Sequence, residues 1–469
     1  MSEELTSLTA TELAARIRAR AVSPVEAVEA YLRRVERLNP KLNALVTHAA
    51  EQALEQAREA ESAIARGEAV GALLGVPLTV KDTIETRGMR STAGSKVRAR
   101  HIPREDAPSV ARLRAAGAVV FGKTNTSEMA LEYCADNPVF GRTNNPHDLA
   151  RTPGGSSGGC AAAVAACLTA GSLGSDLTGS VRVPAHFCGV VGLRPTAGRV
   201  PAAGHCPQVV GPYSLGASLG PLARTVADAE LLYNVLAGRS ADANAMKVEE
   251  LRGQRVAVFI DDSKAPVTDE TRAAVARAAE ALRDAGLAVA EEHPPGLDAA
   301  TDLWLSLFSR ETQRIVCAAY KDHEDEAGRA ARLILDSAAC ATRPTLENFL
   351  DTWCERDRLR AALLEWMERT PLVLTPVGAV SAFEHEAPRS FVVGDKRFGL
   401  FRAFGHAQGC NVFDLPAASV PAGQTREGLP VGVQIIGRSF DERRVLAAAR
   451  VVEAATGGWQ SPHLALSNV

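Results

Sequence analysis

Apolar positions in this chain follow two periods, one helical and one of short runs bounded by turn residues. Residues 9–38 read as two helices. Ser23-Pro24-Val25-Glu26 marks the start of the second: serine can cap, proline suits the first helical position, and Glu26 completes a capping box. A strand is expected over Asn43–Thr47 and a helix over 49–66, stopped before Gly67. Gly75-Val76-Pro77-Leu78-Thr79-Val80-Lys81-Asp82 is a short apolar strand tipped by lysine. A helix over 108–116 leads to a strand, Ala118–Phe121, and a loop, Gly122-Lys123-Thr124-Asn125. Further on, helices are expected over Thr225–Leu236, from a Thr268 cap to Ala285, and over Asp441–Ala455. Strands are expected over Arg255–Ile260, Leu287–Ala290, Leu372–Thr375, Ala417–Val420 and Val431–Ile436. Residues 239–254 are polar and read as a connection. Residues 297–370 are mostly helical and hold three of the four tryptophans, either walling a pocket or packing as ordinary core. Strand–helix alternation of this kind implies a largely parallel sheet covered by helices.

One stretch departs from both periods. Arg151–Thr196 opens with Gly154-Gly155-Ser156-Ser157-Gly158-Gly159 and continues into an Ala-rich helix of about three turns. A second small loop follows, Asp176-Leu177-Thr178-Gly179-Ser180, and then another short helical turn. Phosphate binding is a poor fit: Gly159 is followed by Cys160 where a P-loop needs lysine, and Ser156 breaks the dinucleotide fingerprint. Gly154–Gly158 satisfies G-x-S-x-G formally, but Arg151-Thr152-Pro153 makes a poor buried strand before a nucleophile elbow. A serine activated by lysine fits better. The hydroxyl needs an adjacent base, and lysine is a base only when burial keeps it neutral. Lys81 ends an apolar strand, one of eight lysines among 52 basic residues; the alternative is a lysine snorkelling from a strand end. No S-x-x-K occurs, so the lysine must come from another segment. Glycines serving only turns and close packing would leave these loop serines unexplained.

Composition narrows the class. The 469 residues are 46% hydrophobic and 23% charged with net charge −3, which favours neither nucleic acid nor an anionic membrane as partner. Nine cysteines, an odd number without C-x-x-C, read as reduced thiols in a cytoplasmic protein. The N-terminus is polar and acidic, unlike a signal peptide, and the uncharged run Ala161–Ala170 is too short to span a bilayer.

Taken together, the motifs resemble the amidase signature family of serine hydrolases. The resemblance rests on Pro153–Gly159, on Asp176–Ala185, and on Cys188-Gly189-Val190-Val191-Gly192-Leu193-Arg194-Pro195-Thr196. Gly75–Asp82, Gly122–Asn125 with Glu128-Met129, Gly141–Pro146, Gly220–Asp228 and Leu429–Gln434 support it. It covers most of the chain and is weakest over residues 290–400.

The resemblance implies an α/β fold: a large mixed, mainly parallel β-sheet sandwiched between helices. It implies a single domain over 1–469, with N-terminal helices in 1–70, a signature core in 71–235 and a C-terminal part in 240–469 whose helical region 297–400 is variable. It implies Lys81 as general base, Ser156, beside a cis peptide bond, as bridging serine, and Ser180 as nucleophile. Leu177, Thr178, Gly179 and Ser180 would supply oxyanion N–H groups, with Asp176 and Arg182 supporting the loop. Met129 and Gly155 are placed at the substrate pocket.

No metal or cofactor is implied. The expected substrate is a small amide, or a carbamate or ester, and the expected state is a monomer or homodimer without nucleic acid or membrane. One alternative is the A subunit of a tRNA-dependent amidotransferase, although Val209–Ser218 lacks the serine-aspartate-glutamine stretch usual there. A second is a non-catalytic binding protein on the same fold. One departure stands out: Thr178 replaces the first of two glycines usual before the nucleophile, which narrows the approach to the oxyanion site.

Overall fold

In this computed structural model, residues 2–68, 71–240, 245–261, 264–340, 345–387 and 389–462 are described. Parts of the expected connection at 239–254 (241–244) and of the variable region (341–344 and 388) lie outside them. The strands are β1 (Leu45–His48), β2 (Pro77–Lys81), β3 (Val119–Thr124), β4 (Gly171–Asp176), β5 (Val191–Arg194), β6 (Ser218–Ala223), β7 (Arg255–Val258), β8 (Ala288–Glu291), β9 (Leu372–Pro376), β10 (Ser390–Val393), β11 (Lys396–Gly399), β12 (Ala417–Gln424) and β13 (Pro430–Gly437). Eleven of them form one sheet in the order β1-β3-β2-β4-β6-β5-β12-β13-β9-β7-β8, and β10-β11 is a separate hairpin.

The large mixed sheet between helices matches the expectation. Parallel pairing falls in two blocks, β3-β2-β4 and β9-β7-β8. Antiparallel steps through β6, β5, β12 and β13 join them, and β1 adds an antiparallel edge.

Both faces of the sheet are buried, which is why the strands read as apolar runs rather than alternating ones. Val256, Val258, Leu374, Val433 and Ile435 pack on one side against Ala274, Val275 and Ala278 of the helix Asp269–Asp284 and Val445 and Leu446 of the helix Glu442–Thr456. The intervening Ala257, Val373 and Ile436 face Leu303, Leu307 and Phe308 of the helix Ala300–Ala319. This is the period-two alternation of a strand with a core on each side.

The Ser23 start signal holds. Ser23 caps the helix Pro24–Leu42 with its capping box formed, and Thr9 caps Ala10–Arg18 the same way. Three expectations change.

The loop expected at Gly122–Asn125 is the end of β3. Lys123 stays buried there because its ammonium reaches the Ile84 carbonyl, Thr86 Oγ1 (2.9 Å) and Ser91 Oγ (3.1 Å). The Ala-rich helix is shorter than expected, Gly158–Ala165.

Between it and the Asp176 loop lies a strand, β4, that the pattern does not reveal: Gly-Ser-Leu-Gly-Ser-Asp has one large apolar residue. Small residues suit this strand because the sheet is closely covered. A Cβ on Gly174 would lie 2.8 Å from Leu222 Cδ1 and 2.9 Å from Ser157 Oγ.

Candidate active site

β2 and β4 are parallel neighbours, with Leu78, Thr79 and Val80 opposite Gly171, Ser172 and Leu173. Their C-terminal ends therefore finish side by side, where open α/β sheets place ligands. Lys81 is the last residue of β2, and Ser175 and Asp176 are the last two of β4.

Lys81 is fully buried, with Nζ 2.7 Å from Ser156 Oγ and 2.9 Å from Ser175 Oγ. Burial lowers its pKa from the usual 10.5 to about 7, against the opposing pull of Cys160 and Asp176. The Gly155–Ser156 peptide bond is cis. The Ser157 N–H donates to the Ser180 carbonyl at 3.2 Å, tying the two small loops together. Ser180 is buried at the cavity edge, and its hydroxyl carries no hydrogen bond among the described residues.

The loop after β4 is built on a buried ion pair. Asp176 accepts from the Gly179 N–H (2.8 Å) and the Val181 N–H (3.1 Å), and from Arg182 Nε and Nη2 (3.0 and 2.9 Å). Arg182 also donates to the Ala407 carbonyl, Gln434 and Asn411. Burial alone would favour the neutral acid, but the Arg182 charge and its hydrogen bonds outweigh it and hold the Asp176 carboxyl below the usual carboxylate range. Asp176 and Arg182 are thus internal supports of the loop.

Of the four expected oxyanion N–H groups, that of Gly179 is committed to Asp176. Those of Leu177, Thr178 and Ser180 have no partner among the described residues. The carbonyls of this loop are fixed from the other side: Trp304 Nε1 donates to Leu177 O and Tyr133 Oη to Thr178 O, both at 2.9 Å. Gly179 has φ +102°, which requires glycine, whereas Thr178 lies outside the left-handed region and needs none.

These groups open on a cavity of about 440 Å³. Its wall is mainly apolar, with Met129, Leu131, Tyr133, Leu177, Trp304 and Phe401 prominent. Glu132 and Arg389 stand in the same wall and pair with each other, Nη1 to Oε1 at 2.6 Å. Met129, expected at the pocket, lines it; its backbone and that of Ala130 are left-handed (φ 48° and 61°), a conformation uncommon for residues with side chains. Gly155 does not line it: a Cβ there would run into the backbone of Glu132 and Cys134, so its role is close packing behind Ser156.

The region 297–370 walls the cavity through Trp304, Thr312, Ala330, Leu333 and Ile334. Glu128 is one of the residues that anchor that region. Its buried carboxylate accepts from Tyr320 Oη (2.6 Å), from the Gly328 N–H (2.9 Å) and from the Ala331 N–H (3.1 Å) in the first turn of the helix Arg329–Cys340.

Sequence reasoning missed Ser175, Tyr133 and His205; Trp304, expected among the tryptophans of 297–370 that either wall a pocket or pack as core, lines the cavity, and only its bond to the Leu177 carbonyl went unforeseen. Ser175 sits in the unrecognised strand. Tyr133 and Trp304 act through long-range hydrogen bonds to loop carbonyls, which leave no periodic trace. His205 lies in a Gly-His-Cys-Pro turn, with Nε2 2.9 Å from Ser175 Oγ and Nδ1 2.7 Å from the Pro207 carbonyl.

The family pattern described as Amidase matches residues 26–446. The chain belongs to the amidase family. It is 33% identical to the A subunit of glutamyl-tRNA(Gln) amidotransferase from Caldanaerobacter subterraneus subsp. tengcongensis, over 96% of this chain and 97% of that one. It is 34% identical to the protein of the same name from Carboxydothermus hydrogenoformans, over 97% and 98%. Among solved structures it superposes on an amidase with TM-score 0.87 at 31% identity, covering 96% of this chain and all of that one. A bacterial aryl acylamidase of the amidase signature family gives TM-score 0.86 at 27% identity, covering 98% and 99%.

The relatives' names correct one expectation. Proteins similar over nearly their whole length are subunits of a tRNA amidotransferase, so the expectation of no nucleic-acid partner does not stand. A net charge of −3 describes the average surface and does not exclude work within such an assembly. Among the described residues, no helix is long and apolar enough to cross a membrane.

Proposed function

We propose that this amidase-family enzyme hydrolyses small organic amides with an apolar acyl portion, through an acyl-enzyme on Ser180. The observation that carries this reading is the apolar cavity into which Ser156 and Ser180 open while Lys81 stays buried behind them. Neutral Lys81 accepts the Ser156 proton as Ser156 accepts that of Ser180. The Ser180 oxygen adds to the carbonyl, and the resulting oxyanion lies against the N–H groups of Leu177, Thr178 and Ser180. Such donors are worth roughly 3–4 kcal/mol each in a transition state. Ser156 then protonates the leaving nitrogen and regains its own proton from Lys81. Water repeats the path to free the acid, and carbamates and esters pass through the same tetrahedral chemistry.

The test is labelling with a fluorophosphonate followed by peptide mapping, with turnover measured on anilides, primary amides, aryl carbamates and aryl esters. Labelling at Ser180 and turnover of the apolar anilides are the expected results. An unlabelled Ser180 refutes the mechanism; turnover of none of the apolar substrates refutes the substrate class.

A second reading is the A subunit of a tRNA amidotransferase, favoured by identity of 33–34% to such proteins over nearly full length. It predicts release of ammonia from glutamine, and stimulation of that release by the other members of the assembly and a glutamyl-tRNA. The mainly apolar wall favours the first reading, and the Glu132–Arg389 pair in that wall is the feature that would meet the charged end of a glutamine.

A further inference from the structure

Lys81 has two hydroxyl neighbours, and only one of them is used by the mechanism proposed above. Ser175 Oγ is 2.9 Å from Lys81 Nζ, nearly as close as Ser156 Oγ at 2.7 Å. A neutral amine has one lone pair, so a freely rotating Ser175 hydroxyl would donate its proton to that lone pair and compete with Ser156.

The surroundings of Ser175 decide where its proton points. His205 Nδ1 lies 2.7 Å from the Pro207 carbonyl, which can only accept, so Nδ1 carries the ring proton. Nε2 of the neutral ring is then an acceptor, and it lies 2.9 Å from Ser175 Oγ. The Ser175 proton is drawn to His205, and its oxygen presents a lone pair to a Lys81 N–H.

His205 is held in register with Lys81. The Glu85 N–H donates to the Gly204 carbonyl (2.8 Å), the Cys206 N–H donates to the Thr83 carbonyl (2.7 Å), and His205 forms an isolated bridge with Ile84. The histidine turn is thereby laid along the four residues that follow Lys81 at the end of β2.

We propose that His205 is a positioning residue for Lys81: by taking the Ser175 proton, it turns the lone pair of the amine toward Ser156. The proposal rests on the reading of Lys81 as base and Ser180 as nucleophile. His205 is not itself the base, since its one free lone pair is occupied by Ser175. Burial, reinforced by the Lys81 charge, lowers its pKa to about 3, so it stays neutral at the pH of any plausible assay.

Two near-isosteres separate this role from a purely structural one. His205→Gln places an amide oxygen near the Nε2 position and keeps an acceptor for Ser175, but loses the bond to Pro207. His205→Asn places an amide near the Nδ1 position, keeps a donor for the Pro207 carbonyl, and loses the acceptor.

The readout is fluorophosphonate labelling of the full chain, with the maximal rate and the half-saturating probe concentration measured separately. Urea midpoints report folding. His205→Gln should label within about threefold of the parent. His205→Asn should fall on the order of 10–100-fold in maximal rate, the scale of a misplaced catalytic group, with half-saturation changed less than about twofold. In a Ser175→Ala background the two should be equal, because His205 acts only through Ser175. His205→Asn labelling as fast as or faster than His205→Gln, or the same gap persisting in Ser175→Ala, overturns the proposal and leaves the nucleophile in place. A parent that does not label at Ser180 overturns the underlying mechanism and the proposal with it.

Discussion

Replacing the buried lysine should make the protein more stable while abolishing its activity. Burial takes the Lys81 pKa from 10.5 to about 7. In the unfolded chain the same amine stays protonated to its ordinary value. Each unit corresponds to about 1.4 kcal/mol, so at pH 7 folding bears a cost of roughly 4–5 kcal/mol to lose or bury that proton. Lys81→Met removes the cost and gives up contacts to Ser156 and Ser175, at about 1 kcal/mol for each hydrogen bond. The variant should therefore exceed the parent by about 2–3 kcal/mol at pH 7.

The difference should depend on pH in one direction. Below about 7 both states of the parent hold the proton, and the gap is at its widest. Between about 7 and 10.5 the unfolded state binds more protons than the folded one, so parent stability rises with pH relative to the variant and the advantage of Lys81→Met fades. Equilibrium urea unfolding of both proteins from pH 6 to 10, beside labelling at Ser180, reads all of this. A variant no more stable than the parent at pH 7, or a gap that does not change with pH, would refute a neutralised buried lysine.

The same base should give the Ser180 labelling rate an acid limb near pH 7, about tenfold down from the plateau at pH 6; a flat profile from pH 6 to 8 excludes Lys81 as the titrating group. Asp176→Asn leaves Arg182 as a buried charge without its counter-ion and should destabilise by about 3–5 kcal/mol, seen as a lower urea midpoint. An unchanged midpoint would show that Gln434, Asn411 and the Ala407 carbonyl suffice for Arg182. Thr178→Gly should admit bulkier acyl groups while lowering stability by about 0.5–1 kcal/mol through backbone entropy, checked by kcat/KM across an acyl series and by urea melts. An unaltered substrate range would make the threonine neutral.

The sequence is informative wherever local chemistry and periodicity coincide. Ser23 and Thr268 announce their helices because capping is decided within one turn. Lys81 is legible because a charged residue ending an apolar strand contradicts its surroundings. β4 is illegible for the opposite reason. Its glycines and serines answer to Leu222, Leu232 and Ser157, which approach from distant segments, so the strand is recorded in shape and not in hydrophobicity. Lys123 reads as a loop residue because its three acceptors, in residues 84–91, meet it only in the fold. His205 and Tyr133 share that property, each acting through a hydrogen bond across at least 30 positions of chain; Trp304 is legible as a pocket aromatic, but its bond to Leu177 is not.

Glu128 sets a boundary between two kinds of residue in this molecule. On one side lie the strand ends and small loops, where a shift of a fraction of an ångström alters chemistry. On the other lies a stretch of helices that Glu128 ties down by three hydrogen bonds, beside the Trp304 bond to Leu177 and apolar packing on the sheet. Leu333 and Ile334 face the cavity from the helix Arg329–Cys340 and make no bond to Glu128, so exchanging them should leave that attachment in place. Reshaping the cavity is then a matter of redecorating one wall, and Glu128 is a residue that a library aimed at new substrates should hold constant.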